Sequence, residues 1–124
     1  MSGVRSRDTS PERRVRSFLH QAGFRFRLHR RSLPGSPDIV LSRYRVALFV
    51  NGCFWHQHPG CKKAALPKSN QAFWIKKLQQ NQERDAKAVK ALSRSGWRIR
   101  SLWECEINER TLGKLAGWIA RGEP

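Results

Sequence analysis

Asn51-Gly52-Cys53-Phe54-Trp55-His56-Gln57-His58-Pro59-Gly60-Cys61 places two thiols and two imidazoles within eleven residues. The chain's remaining cysteine is Cys105, in Trp103-Glu104-Cys105. Cys53, His58 and Cys61, closed by the distant Cys105, make a Cys₃His donor set, the usual composition of a structural zinc site. His56 is the alternative imidazole ligand. Phe54 and Trp55 stand between the first cysteine and His56. A zinc loop offers little interior, so large aromatics there point to a partner surface, with core packing as the competing reading.

Working outward, 124 residues suffice for one hydrophobic core and not two, so the whole of 1–124 reads as a single domain. Twenty-five Lys and Arg against nine Asp and Glu leave a formal charge of +16. Charge of this size speaks about partners more than about fold; nucleic acid is the first candidate and an anionic membrane surface the second. No stretch reads as a signal peptide, and no apolar run approaches the ~18–20 residues needed to span a bilayer. Three cysteines cannot all pair in disulfides, and without an export signal their clustering favours metal in a reducing space such as the bacterial cytoplasm.

Thr9-Ser10-Pro11-Glu12 predicts a helix start, with Thr9 capping, Pro11 in the first turn and Glu12 completing a capping box. Val15, Phe18, Leu19 and Ala22 continue it until Gly23. Phe24 to Leu28 reads as a strand, and Arg30 to Pro37 as a loop. Asp38 to Leu41 and Tyr44 to Val50 read as strands joined by a tight turn at Ser42-Arg43. A basic connector, Lys62 to Ser69, leads into a long helix from about Asn70 to Arg94, with Ile75, Leu78, Ala86, Val89 and Leu92 as its apolar stripe. Gly96 ends it. Trp97 to Trp103 is a strand, and Leu112, Leu115, Ala116 and Ile119 mark a last helix. The order α-β-β-β-α-β-α predicts an α/β domain with a central mixed sheet flanked by helices.

If the two central strands form a hairpin, Asp38 and Val50 meet at one sheet edge. A carboxylate there can hold Mg²⁺ against a scissile phosphate; as an isolated Pro-Asp it is also a common turn former. At 3.6 residues per turn, Trp74, Lys77, Asn81 and Asp85 share a stripe beside the expected apolar one, suiting an aromatic wedge with base-edge contacts. Trp74 as core, Asp85 as an ion-pair partner of Arg84 or Lys87, and Glu12 as a capping residue only are the plainer readings. Arg13, Arg14, Arg16, Lys62, Lys63 and Lys68 are either phosphate contacts or solvated charge.

A wider pattern now stands out. Thr9-x-x-Glu12, Leu33-Pro34-Gly35-Ser36-Pro37-Asp38, Phe49-Val50-Asn51-Gly52-Cys53-Phe54-Trp55-His56 and Phe73-Trp74-Ile75-x-Lys77 occur in order. Asn81-x-Glu83-Arg84-Asp85 and Gly96-Trp97-Arg98 through Trp103-Glu104-Cys105 follow. Together, from about Val4 to Ile119, they resemble the very short patch repair (Vsr-type) DNA mismatch endonucleases. The resemblance implies a zinc-containing, restriction-endonuclease-like fold. It also implies Mg²⁺-dependent nicking of duplex DNA 5′ to the thymine of a T·G mismatch, the lesion left when 5-methylcytosine is deaminated.

The resemblance further implies roles for single residues. Asp38 and the Val50 carbonyl fall on the magnesium positions, and Cys53, His58, Cys61 and Cys105 on the zinc positions. His56 falls on the residue that activates or positions the attacking water, with Asp85 behind it and Glu12 at the active centre. Asn51 stands where well-known members carry a second histidine; an amide can bind a water or phosphate but cannot carry a proton. Phe54, Trp55 and Trp74 fall on wedge aromatics, and Lys77 and Asn81 on residues contacting the mismatched pair. Residues 1–8 read as a short N-terminal arm in place of the longer basic arm of some members. The implied enzyme is a cytoplasmic, nucleoid-associated monomer, working alongside other mismatch-repair proteins. Two alternatives remain: a catalytically weak or inactive zinc-containing mismatch-binding module, favoured by Asn51, and a zinc-stabilised RNA-binding protein, which leaves Phe54-Trp55-His56 unexplained.

Overall fold

The alternation of Ile39-Val40-Leu41 and Val46-Ala47-Leu48 sends side chains to both faces of a sheet, and all six residues are fully buried. A sheet buried on both faces needs helices on both. The computed structural model describes residues 10–122 and supplies them. In chain order come α1 (Ser10–Gln21), β1 (Arg27–Leu28), β2 (Ile39–Leu41), β3 (Val46–Asn51), α2 (Gln71–Arg94), β4 (Arg98–Trp103) and α3 (Glu109–Arg121). The sheet order is β1-β2-β3-β4, with β1–β2 and β2–β3 antiparallel and β3–β4 parallel. This is the expected mixed α/β arrangement. The expected arm 1–8 and the Thr9 cap lie outside the described residues.

On one face, Ile39, Leu41, Val46 and Leu48 pack with Val15 and Leu19 of α1 and with Leu112, Leu115, Trp118 and Ile119 of α3. α2 covers the other face. Gly35, at φ 75°, lets the loop before β2 pass beneath it: a Cβ there would lie 2.7 Å from the Ala88 Cβ and 3.3 Å from the Phe49 ring.

Several boundaries differ from expectation. β1 spans two residues rather than five; Phe24 and Phe26 pack against the core without joining the ladder. The turn after β2 is a 3₁₀ turn, Ser42–Tyr44, closed by Arg45 in the left-handed region at φ 56°. β3 begins at Val46 and includes Asn51. The largest correction concerns α2. Its buried residues are Leu78, Ala88 and Leu92, whereas Ile75 and Val89 are 44% and 38% exposed and Ala86 is exposed too. Trp74, Asn81 and Asp85, half-buried, lie on the packed side with Leu78, and Lys77 is exposed. The packed stripe therefore runs 74-78-81-85-88-92, rotated by roughly 60° from the apolar one. No helix among the described residues is long and apolar enough to cross a membrane.

Candidate active site and metal centre

Three polar side chains converge where β1 and β2 meet α1. The register pairs Leu28 with Ile39, which sets His29 opposite Asp38, and the His29 amide donates to the Asp38 carbonyl at 3.1 Å. Glu12, in the first turn of α1, is fully buried, with Oε2 2.9 Å from His29 Nε2 and 3.7 Å from Arg16. One ligand atom from each of Glu12, His29 and Asp38 falls within 4.8 Å of the others. The expected approach of Asp38 to the end of β3 is present: the Val50 amide donates to Asp38 Oδ2 at 2.7 Å. Burial pushes the Asp38 carboxyl up to about 6. The Val50 hydrogen bond opposes this, Glu12 adds to it, and His29 and His56 pull it back.

His29 was not among the residues singled out from sequence. The signal that could have found it is the hairpin register: a strand ending at 28 paired with one starting at 39 sets 29 against 38. The plain capping reading of Glu12 turns on Thr9, outside the described residues; within them, the carboxylate faces His29.

The loop after β3 turns back against α2. His56 Nδ1 lies 2.5 Å from Asp85 Oδ2. A carboxylate can only accept, so Nδ1 carries a proton, and in the neutral imidazole Nε2 then presents its lone pair. Asp85 thus pairs with His56 rather than with Arg84 or Lys87. Asn81 Nδ2 donates to the Trp55 carbonyl at 3.5 Å. Phe54, Trp55 and Trp74 meet edge-to-face or tilted, with centroids 5.1 to 5.8 Å apart, and Phe73, 59% exposed, adds a fourth ring against Trp74. Phe54, Trp55 and Trp74 are half-buried in a surface cluster of their own, outside the main core. Asn51, last in β3, is half-buried opposite Trp103.

Cys53, His58, Cys61 and Cys105 come together with ligand atoms within 4.8 Å of one another, none in a disulfide. Tetrahedral zinc with ~2.3 Å Zn–S bonds requires sulfurs about 3.8 Å apart and S–N edges about 3.6 Å. The observed separations are 3.9 Å for Cys61–Cys105, 3.7 Å for Cys53 to His58 Nδ1 and 3.3 Å for Cys105 to the same nitrogen. The set therefore fits a metal ion, with His58 rather than His56 in it. Supports that the sequence did not announce hold it. Trp103 stacks on the His58 ring at 4.2 Å and 13°, Glu106 lies 3.6 Å from His58 Nε2, and Glu104 accepts from the Cys53 amide at 3.0 Å. Burial pushes the Cys53 thiol up to about 12, while the Lys63 amide helps bring Cys61 down to about 7. Metal binding must therefore expel a proton from Cys53.

Among the basic residues, Arg14 donates to the Ile107 carbonyl at 3.0 Å and Arg16 pairs with Glu12, whereas Lys62, Lys63 and Lys68 are exposed.

A mixed α/β domain with a Cys/His cluster that fits a metal ion, a carboxylate at a strand end and an aromatic-flanked histidine has the makeup of a hydrolytic site. The family "DNA mismatch endonuclease Vsr" matches residues 1–63. The type II nicking enzyme V.XorIIP of Xanthomonas oryzae pv. oryzae is 50% identical over 115 residues, covering 93% of this chain and 82% of that one. V.NmeAIP of Neisseria meningitidis is 42% identical over 112 residues, 90% of this chain and 79% of that one. The DNA mismatch endonuclease Vsr of Escherichia coli is 40% identical over 110 residues, 89% and 70% respectively. The chain belongs to the Vsr family, whose named members are nucleases.

Proposed function

We propose that the chain is a restriction-endonuclease-like, single-domain DNA nicking enzyme, cutting 5′ to the thymine of a T·G mismatch produced by deamination of 5-methylcytosine. The observation that carries this reading is the arrangement at the end of β3. Asp38 is bonded to Val50, and a few residues on His56 is held by Asp85 beside the Phe54-Trp55-Trp74 cluster. The printed names of the relatives, mismatch endonuclease and nicking enzyme, support it.

In this reading Asp38 and the Val50 carbonyl hold Mg²⁺, which supplies charge stabilisation at the scissile phosphate when bound. Hard oxygen donors suit that ion. His56 Nε2 takes the proton of the attacking water, and Asp85 fixes its tautomer, an acid–base contribution typically worth about 10²–10⁴-fold. Glu12 buttresses the centre, and Asn51 hydrogen-bonds a water or phosphate. Phe54, Trp55 and Trp74 enter the duplex where the wobble pair is weakly stacked, and Lys77 and Asn81 reach the displaced base edges. The +16 surface attracts any duplex. Zinc at Cys53, His58, Cys61 and Cys105 is structural. The protein acts as a monomer in the bacterial cytoplasm, with mismatched duplex DNA and other repair proteins as partners.

Asn51 favours the second reading, a mismatch-binding module with weak or no cleavage, because it cannot carry a proton. Incubation of the zinc-loaded protein with T·G and matched duplexes in several sequence contexts, with Mg²⁺, separates the two. Strand-specific nicking of T·G duplexes alone is expected; tight T·G binding with intact strands throughout establishes the module instead.

A further inference from the structure

Three donors lie at the Asp38 edge, and only the two carboxylates have been given a task. We propose that His29 is a third protein ligand of the cation held there, and that its nitrogen makes the site favour Mn²⁺ over Mg²⁺. The proposal rests on the reading that Asp38 holds the cleavage cation.

The geometry is that of a chelating face. His29 Nε2 and Glu12 Oε2 are 2.9 Å apart, and with Asp38 all three ligand atoms fall within 4.8 Å. Adjacent ligands of an octahedral ion with bonds of about 2.1 Å are separated by about 3.0 Å. A cation can thus replace the proton shared by Glu12 and His29 with little movement of either group. Each donor comes from a different stretch of chain: Glu12 from α1, Asp38 from the residue before β2, His29 from the residue after β1. His29 is held by the hydrogen bond its backbone N–H donates to the Asp38 carbonyl and takes a left-handed backbone, φ 47°, that few non-glycine residues adopt. Its side chain keeps 19% exposure against 1% for Glu12, so the open side of the face is the imidazole side, where water or a phosphate oxygen can complete the shell. Oxygen donors alone suit Mg²⁺; an added imidazole shifts preference toward first-row transition ions, because Mg²⁺ gains little from a nitrogen ligand.

The test uses full-length, zinc-loaded protein without DNA. Mn²⁺ is titrated by electron paramagnetic resonance, Mg²⁺ is measured by competition, and electron spin-echo modulation reads ¹⁴N coupling to bound Mn²⁺. Wild type and His56→Ala should both show a ¹⁴N coupling that His29→Gln lacks. His29→Gln should weaken Mn²⁺ binding by about tenfold or more while leaving Mg²⁺ within about threefold. The Mn²⁺-to-Mg²⁺ ratio of nicking rates should fall in parallel. Zinc content and circular dichroism of each variant report folding. Absence of ¹⁴N coupling in wild type overturns the proposal whatever the variants do. If Asp38→Asn abolishes Mn²⁺ binding while His29→Gln leaves it unchanged, Asp38 holds the cation and His29 does not. Mn²⁺ binding unaltered in Asp38→Asn overturns the Asp38 reading itself.

Discussion

The two metal-suited clusters both adjoin the end of β3 and differ in their donors. The Cys53 cluster has three soft sulfurs and one nitrogen, four protein donors in all, drawn from a loop and from a turn 44 residues beyond Cys61. A tetrahedral ion there has no position left for a substrate, so its contribution is to join two distant stretches of chain. The Asp38 cluster has hard oxygens with one nitrogen, and its three side-chain donors together with the Val50 carbonyl would still leave two positions of an octahedral ion open. β3 connects them: Val50 is bonded to Asp38, and Cys53 follows three residues on. Because β3 and β4 run parallel and end together at Asn51 and Trp103, the loops leaving them emerge side by side. The closed cluster can thus staple those loops, and the open one can use what they carry.

The largest expected effect separates the two clusters by stability. Cys105→Ala removes a ligand from the closed set only. Structural zinc is typically worth about 10 kcal/mol or more, comparable with the whole stability of a small domain. The variant should elute without zinc and be largely unfolded by circular dichroism at 25 °C. A zinc-free protein with native ellipticity and full nicking would remove the staple from the argument. Asp38→Ala should do the reverse: zinc and fold retained, nicking lost by about 10³-fold or more, and T·G binding within about tenfold, or ~1.4 kcal/mol. Nicking retained in this variant would falsify the Asp38 assignment. His56→Ala should likewise lose nicking with zinc and fold intact.

A smaller effect sharpens the contrast through pH. The folded Asp38 carboxyl titrates near 6 against an ordinary 3.8, so the folded state holds its proton more tightly than the unfolded one. Its contribution to stability is full below the ordinary value and is lost as pH rises through about 6. At pH 7.5 the ionised carboxylate costs the fold, before any cation binds at Asp38, on the order of 1–2 kcal/mol once its partial exposure is discounted. Asp38→Asn should therefore raise the melting temperature of zinc-loaded protein in chelator-treated buffer by about 4–8 °C at pH 7.5, an advantage that fades by pH 4. Mg²⁺ or Mn²⁺ should stabilise wild type and leave Asp38→Asn unmoved. Equal melting temperatures at pH 7.5 would show that the carboxylate is not strained by burial.

Element order and the Cys/His cluster were legible in sequence because their signals are local: strand alternation, glycine stops, donors crowded into nine residues. The packed face of α2 was not. Hydrophobic periodicity assumes that a helix turns its most apolar side inward, but α2 spends part of its inner face on Trp74, Asn81 and Asp85 and leaves Ile75 and Val89 to solvent. Where a helix packs over a site instead of a core, the apolar stripe misplaces it. His29 escaped for another reason: a two-residue strand carries no pattern, and its partner is set by a register that only the pairing reveals. Trp103 and Glu106, which hold the His58 ring, are visible only once β4 lies beside β3.

The smallest expected effect belongs to the aromatic cluster, whose Phe54 and Trp55 stand in sequence between Cys53 and His56, the proposed zinc ligand and the proposed base. Trp74, on α2, packs on both Phe54 and Trp55, so in the proposed wedge it would order the other two rings as well as add to them. Stacking on a base is typically worth about 1–3 kcal/mol, and a T·G wobble yields to intercalation more easily than a matched pair. Trp74→Ala should therefore weaken T·G binding by roughly five- to 150-fold and matched-duplex binding much less. Zinc content and the rate of nicking at saturating T·G duplex should change little. Replacing Lys62 and Lys63 together should weaken both duplexes alike and flatten the salt dependence, because phosphate contacts carry no mismatch information. Binding of both duplexes at two salt concentrations reads all of these at once. If Trp74→Ala and Trp55→Ala each keep the wild-type preference for T·G, recognition does not run through the wedge. It would then fall to base-edge contacts such as Asn81, whose side chain already reaches the Trp55 carbonyl.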